Sequence, residues 1–347
     1  MADRHNALAR YLAVAFTVLV IYASLHPFNG WRDSGVPMMD WVSAAWPRYY
    51  TRFDIAFNVA GYVPFGFLWT PVLRTRFGKT LAIAVVVGLG AFLSGTMETI
   101  QNFLPTRVPS NIDLASNTVG AFLGAVAGAK WGRTLLHGGR IDAWRERNVA
   151  PGMVGDAGLV LIGFWLLTQI NPESLLFGNG DLRRALGMEP TLPFDVSDFF
   201  RIEAAIAAIN TLAVGLVLVA LRLKMRFVFF LVLLGMIIRA LAAAILVESA
   251  NAFHWITQGS VIGISVGCIA LISAAYLPPA SRRALAAVAL LLATVLVNLA
   301  PDNPYLAEAT MVWRQGHFLN FYGLTRLLSM SWPFLTLAWL LIPERET

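Results

Sequence analysis

Apolar residues in this chain come in runs near 20 residues long, separated by short polar connections, from one end to the other. An α-helix rising 1.5 Å per residue needs about 20 apolar residues to cross a hydrocarbon layer of roughly 30 Å. Ten such runs are read, at 8–25, 54–73, 80–98, 112–130, 153–170, 201–221, 227–247, 255–277, 284–300 and 326–342. Inside a bilayer every backbone polar group must be satisfied within the protein, and helices do this segment by segment. The pattern therefore predicts an all-α polytopic membrane protein with about ten transmembrane helices. The first run follows Arg4 and Arg10, and no convincing A-x-A site ends it, so it is read as an uncleaved first span.

Composition agrees: 57% of residues are hydrophobic and 13% charged, against about 25% charged in soluble domains. The net charge of +6 does not point to nucleic acid, because the basic residues are scattered over short connections. They report orientation instead. With the N-terminus inside, 16 of the 26 Lys and Arg fall on the inner side, including all three lysines, and both termini are cytoplasmic. The connections 26–53, 171–200 and 301–325 then lie outside. The first of these holds Trp31, Trp41, Trp46, Tyr49 and Tyr50, read as an interfacial belt or as a roof over the polar groups below. Cys268 stands alone in an apolar run, which excludes a disulfide and a cysteine-built metal site.

The two halves of the chain rhyme. Asp54 and Asn58 share a helix face in the second span, as Glu203 and Asn210 do in the sixth. Glu98 closes the third span and Glu248 the seventh; Gly120, Gly124 and Gly128 stripe the fourth and Gly259, Gly263 and Gly267 the eighth. Small residues at that spacing let membrane helices approach closely. The expected architecture is a four-helix membrane domain over 1–150, a divergent parallel four-helix repeat over 151–283 and a C-terminal helix pair over 284–347. Glu98 and Gly120 lie 22 residues apart, whereas Glu248 and Gly259 lie 11 apart, so the connection carrying Arg107 and Asp113 belongs to the first half alone.

Chemistry concentrates there. Ionisable groups at membrane depth cost roughly 2.5–3.5 kcal/mol each, so they are paired or line a wet cavity. Between Met97 and Gly128 the chain places Glu98, Gln101, Arg107, Ser110, Asp113 and Asn117, with Asp54 and Asn58 within reach from the second span. These eight are the candidate ligand-binding residues. An arginine fork suits phosphate or carboxylate; the bland alternative is a clasp joining spans three and four. Asp113 could equally cap the fourth span beside Ser110. No HExxH, G-x-S-x-G, P-loop or cysteine–histidine arrangement is present, so no catalytic residue, cofactor or metal is assigned.

At these residues the chain resembles the VanZ-like family of membrane proteins. The match is carried by Tyr22-Ala-Ser-Leu-His-Pro-Phe28, by Asp54, Asn58, Tyr62, Pro64 and Gly66, and by the ordered block Glu98, Gln101, Pro105, Arg107, Ser110, Asp113, Asn117 and Gly120. It is strongest over residues 11–131. Some family members carry Asp-Lys and then His where Ile55 and Asn58 stand here, so no imidazole chemistry carries over to this site. The resemblance implies a four-span domain in a bacterial cytoplasmic membrane. It also implies a link to resistance against the glycopeptide teicoplanin, whose target is a peptidoglycan precursor at the outer membrane face. It implies no particular reaction.

The leading expectation is a cell-envelope membrane protein that binds an amphiphilic or lipid-linked envelope component at the outer face. Its partners are then a membrane lipid or lipid-linked envelope precursor, and not nucleic acid. The balance leans away from an enzyme. Two alternatives stay open: an intramembrane enzyme acting on a lipid-linked substrate through Glu98 or Asp113, and a scaffold with membrane-protein partners in an envelope complex.

Overall fold

The computed structural model describes residues 7–47, 50–136, 140–246, 252–304 and 319–342; Tyr49 and Glu248 lie outside them. Among the described residues there are thirteen helices and no strand. They are α1 (Ala7–Leu25), α2 (Asp40–Ser43), α3 (Arg52–Phe77), α4 (Lys79–Gln101), α5 (Asn111–Leu136), α6 (Arg140–Asn148) and α7 (Gly152–Thr168). Then come α8 (Leu182–Ala185), α9 (Val196–Ala220), α10 (Met225–Leu246), α11 (Gln258–Ala274), α12 (Pro279–Leu299) and α13 (Leu319–Leu340). Ten of them have 17 to 26 residues, and each lies over one of the ten predicted spans. Seven are long and apolar enough on length and composition alone to cross a membrane. The protein is a multi-pass, all-α membrane protein.

The chain divides into two compact units, Met1–Arg147 and Asn148–Thr347. Within the second unit α12 packs on α9 and α13 on α7.

In the first unit α3 and α5 run in intimate contact, with α4 against both and α1 against α3 and α4. The cause is the glycine stripe. A Cβ on Gly120, Gly124 or Gly128 would fall onto the carbonyl oxygens of Val59, Val63 and Phe67, and one on Gly66 onto that of Ala121. Helices gain no hydrophobic drive against each other in lipid, so this close backbone approach supplies the van der Waals contact that holds the pair. Tyr62, Phe65, Val86, Ala121 and Ala125 form the core around it. Thr51 and Asp54 start α3 with a reciprocal capping box, and at the other end the Arg74 guanidinium donates to the Ala129 carbonyl at 2.6 Å.

The second unit repeats the steric solution in the same register. Cβ atoms on Gly259, Gly263 and Gly267 of α11 would crowd the carbonyl oxygens of Phe200, Ala204 and Ala208 of α9. Thr70 and Thr211, both fully buried, each donate to the carbonyl four residues back, Gly66 and Ala207. The glycine contacts match Val59 with Phe200, so Tyr62 rather than Asp54 occupies the place of Glu203. Asn210, which the sequence pattern set against Asn58, donates within its own helix to Ile206. On the other side of the unit, Trp332 and Trp339 of α13 donate to the Leu161 and Val154 carbonyls of α7, both at 2.8 Å. Arg239 is buried and donates to the carbonyl and hydroxyl of Ser174.

Candidate functional site

All eight candidate residues lie at one end of the first unit, where α1 and α4 end and α3 and α5 begin. Pro105 and Pro109 keep the connection 102–110 out of helix, and it turns α4 back into α5. Ser110 is the N-cap of α5: its hydroxyl accepts from the Asp113 N–H at 3.4 Å. In a capping box the third helical residue, here Asp113, would accept the N-cap N–H. Glu98 takes that role instead, from the end of α4, with Oε2 2.8 Å from the Ser110 nitrogen. The glutamate therefore bonds α4 to the start of α5, and both groups are buried. A carboxylate out of water must be hydrogen-bonded, and a buried helix N-terminus must be capped; one contact meets both demands.

This substitution leaves Asp113 available. Its Oδ1 accepts from Asn58 Nδ2 at 2.8 Å, across the α3–α5 seam. No donor reaches its second oxygen among the described residues. Asp54 caps its own helix, with Oδ2 accepting from the Thr51 N–H and hydroxyl, both at 2.8 Å, and its charge acts on Asp113. Asp54, Asn58 and Asp113 are all half-buried. One turn deeper, Asn117 donates to the Ser94 hydroxyl at 3.0 Å, and the buried Tyr62 hydroxyl approaches Ser94 without reaching hydrogen-bond geometry.

The remaining two candidates face α1. Gln101 donates to the Ser24 carbonyl at 2.8 Å. Arg107 donates to the His26 carbonyl through Nη2 at 2.5 Å and Nε at 3.2 Å, and to the Ala23 carbonyl at 3.4 Å. Its fork thus closes the C-terminus of α1, satisfying carbonyls that have no partner within the helix. Burial pushes this guanidinium down to about 10, against the charge of Glu98, so it stays a cation near neutral pH. No carboxylate comes within ion-pair distance of it among the described residues. Glu98 and Arg107 therefore do not clasp each other; each clasps backbone.

The long first connection folds over this end. Arg32 N–H donates to the Phe103 carbonyl at 3.0 Å, Asn111 donates to Ala44 O at 2.7 Å, and Trp41 is buried. Trp31, Trp46 and Tyr50 are exposed, so among the described residues of this belt Trp41 alone is tucked in, with backbone beside it. Among the described residues no three His, Cys, Asp or Glu gather into a metal site. Ser94 is the group sequence reasoning passed over. It precedes Glu98 by four and so shares its helix face, but a lone serine in an apolar run gives no signal of that.

A family model described as VanZ/LLP1 matches residues 6–130, which contain the whole of this site. Among curated proteins, fluoride-specific ion channels FluC from Pseudomonas syringae pv. syringae (strain B728a) and pv. tomato (strain ATCC BAA-871 / DC3000) are 32% identical to this chain over 94 residues. That stretch covers 25% of this chain and 76% of each channel. No solved structure matches the chain.

Proposed function

The chain belongs to the VanZ-like family through residues 6–130, and on that premise we propose that its first unit holds the polar head of an amphiphilic, lipid-linked cell-envelope component. The observation that carries the reading is the divided labour at the start of α5. Ser110 and Glu98 cap the helix, and Asp113, held by Asn58, keeps an oxygen for a ligand. Carboxylate oxygens accept hydrogen bonds, so the head that Asp113 and Asp54 suit carries hydroxyl or ammonium donors. Glu98, Gln101, Ser110 and Asn117 fix the frame, and Arg107 locks the connection onto α1. The acyl portion would lie along the exposed Phe92, Phe122 and Val119.

The short basic connections support placing both termini in the cytoplasm and this end at the outer face of a bacterial cytoplasmic membrane. The matched glycine register and the Thr70–Thr211 pair support reading the second unit as a divergent parallel copy of the α3–α5 core. A shift in teicoplanin susceptibility on deletion of the protein would extend the reading to glycopeptide resistance; unchanged susceptibility would confine it to binding.

The test is native mass spectrometry of the full-length protein after exposure to envelope lipid extract. Asp113→Asn combined with Asn58→Ala should lower lipid retention about tenfold or more without loss of fold, the size expected when hydrogen bonds to a charged group are removed. Unchanged retention in that double variant sinks the idea. A second reading, fluoride passage, is favoured by the likeness to the FluC channels. It predicts that liposomes carrying the protein release trapped fluoride to an ion-selective electrode, which binding alone does not.

A further inference from the structure

The second unit holds a cavity of about 70 Å³, roomy enough for several waters at roughly 10–15 Å³ each. It lies where α7 and α12 end and α9 and α13 begin, and Arg183, Arg184 and Arg326 line it. The turn carrying the first two arginines is pinned. Asn298, near the end of α12, accepts from the Leu182 and Arg183 N–H groups at 2.9 and 2.7 Å and donates to the Gly180 carbonyl at 2.7 Å. Gly180 has φ +88°, and a Cβ there would sit 2.9 Å from Thr294, so only glycine lets the turn lie this close to α12. Its own N–H donates to the Ser329 carbonyl of α13 at 2.7 Å. The arginine pair is thus held from two helices before any ligand arrives.

The three guanidinia are not equivalent. Arg183 is 6% exposed and grips Asp302 through both terminal nitrogens, at 2.7 and 3.4 Å. Arg184 meets Asp302 at 2.9 Å, Asp181 at 3.3 Å and Glu173 at 3.8 Å. Arg326 has no carboxylate within ion-pair distance among the described residues. It donates to the Tyr322 hydroxyl at 3.1 Å and to the Arg184 carbonyl at 2.5 Å, which ties its planar group to the pinned turn. A half-buried guanidinium with spare N–H donors, oriented by its neighbours and facing a cavity, is a receptor for an oxyanion.

We propose that this cavity binds a phosphate group, with Arg326 as the primary donor and Arg184 as the second. The phosphate is either the head of a phospholipid or a free phosphate ion. This site is separate from the one in the first unit and does not depend on it.

The experiment uses the purified full-length protein in maltoside detergent, in two arms: calorimetric titration with inorganic phosphate, and native mass spectrometry after exposure to phosphatidylglycerol or phosphatidylcholine micelles. The wild type should bind in at least one arm. R326A should weaken that binding about tenfold or more, with R326K, which keeps the charge and loses the fork, in between. Melting curves establish that both variants are folded. Binding of inorganic phosphate alone identifies a soluble ligand; retention of lipid without it identifies a headgroup. Absence of binding in both arms, or equal binding by wild type and a folded R326A or R326K, overturns the proposal.

Discussion

The pairs α3–α5 and α9–α11 share one steric design and differ in what they place at its mouth. In both, three glycines at four-residue spacing take the carbonyl ridge of the partner helix, in the same register. In both, a glutamate from another helix reaches the N-cap. Glu98 accepts the Ser110 backbone N–H at 2.8 Å, and Glu203 accepts the Thr257 hydroxyl at 2.7 Å. The difference lies in helix length and in the residue three past the cap. Gly259 is the second residue of α11, whose cap is an ordinary box of Thr257 with Ser260. Gly120 is preceded in α5 by nine residues, 111–119, that include Asp113 and Asn117. Two extra turns therefore project beyond the glycine seat in the first unit, and a carboxylate stands where the second has a serine. The shared part serves packing; the added part carries the groups available to a ligand.

Substitutions at the glycine seats have the largest expected effect. Gly124→Leu and Gly263→Leu should each cost about 3 kcal/mol or more, the upper end for overpacking, because the obstruction is backbone rather than a yielding side chain. Loss of the folded peak on size-exclusion chromatography should be alike for the two; a tolerated Gly263→Leu would show that the second seat is not tight. The caps give the next effect. Glu98→Ala orphans a buried N–H and should cost about 1–3 kcal/mol, whereas Glu203→Ala removes one hydroxyl hydrogen bond, about 0.5–1.5 kcal/mol, because the Thr257 oxygen still accepts from Ser260. Melting temperatures in detergent would rank the two, and the reverse order would remove the distinction. Asn58→Ala should lower stability by only about 0.6 kcal/mol, the average for an interhelical membrane hydrogen bond, and still impair lipid retention. Smallest is Gly163→Ala in α7, where an added Cβ meets nothing within 4 Å. There the melting temperature should hold or rise, corresponding to about 0.4–1 kcal/mol gained through the unfolded chain.

Much of this was open to a reader of the sequence. Each of the ten long helices lies over a predicted run, because lipid leaves an apolar segment of that length one way to satisfy its backbone. The glycine stripes were legible for a similar reason: spacing alone shows that one helix face is bare. Which helix would occupy that face was not, since a stripe names no partner. The polar residues were harder. Arg107 read as a ligand fork, yet it caps α1, because a guanidinium near an unpartnered helix end bonds the carbonyls it can reach. Nothing in the sequence links Arg183 and Arg184 to Arg326, because 142 residues separate the last two, which only folding brings together.

Composition and period thus determined the membrane-spanning, all-helical class and the two bare helix faces, since both follow from free energies that act residue by residue along a segment. Only the tertiary structure decided which polar groups bond to each other. A buried donor or acceptor accepts whatever complementary group lies within about 3 Å. That neighbour is set by how helices distant in sequence come to pack. Glu98 became a cap, Asp113 was left with an oxygen to offer, and three arginines met around one cavity.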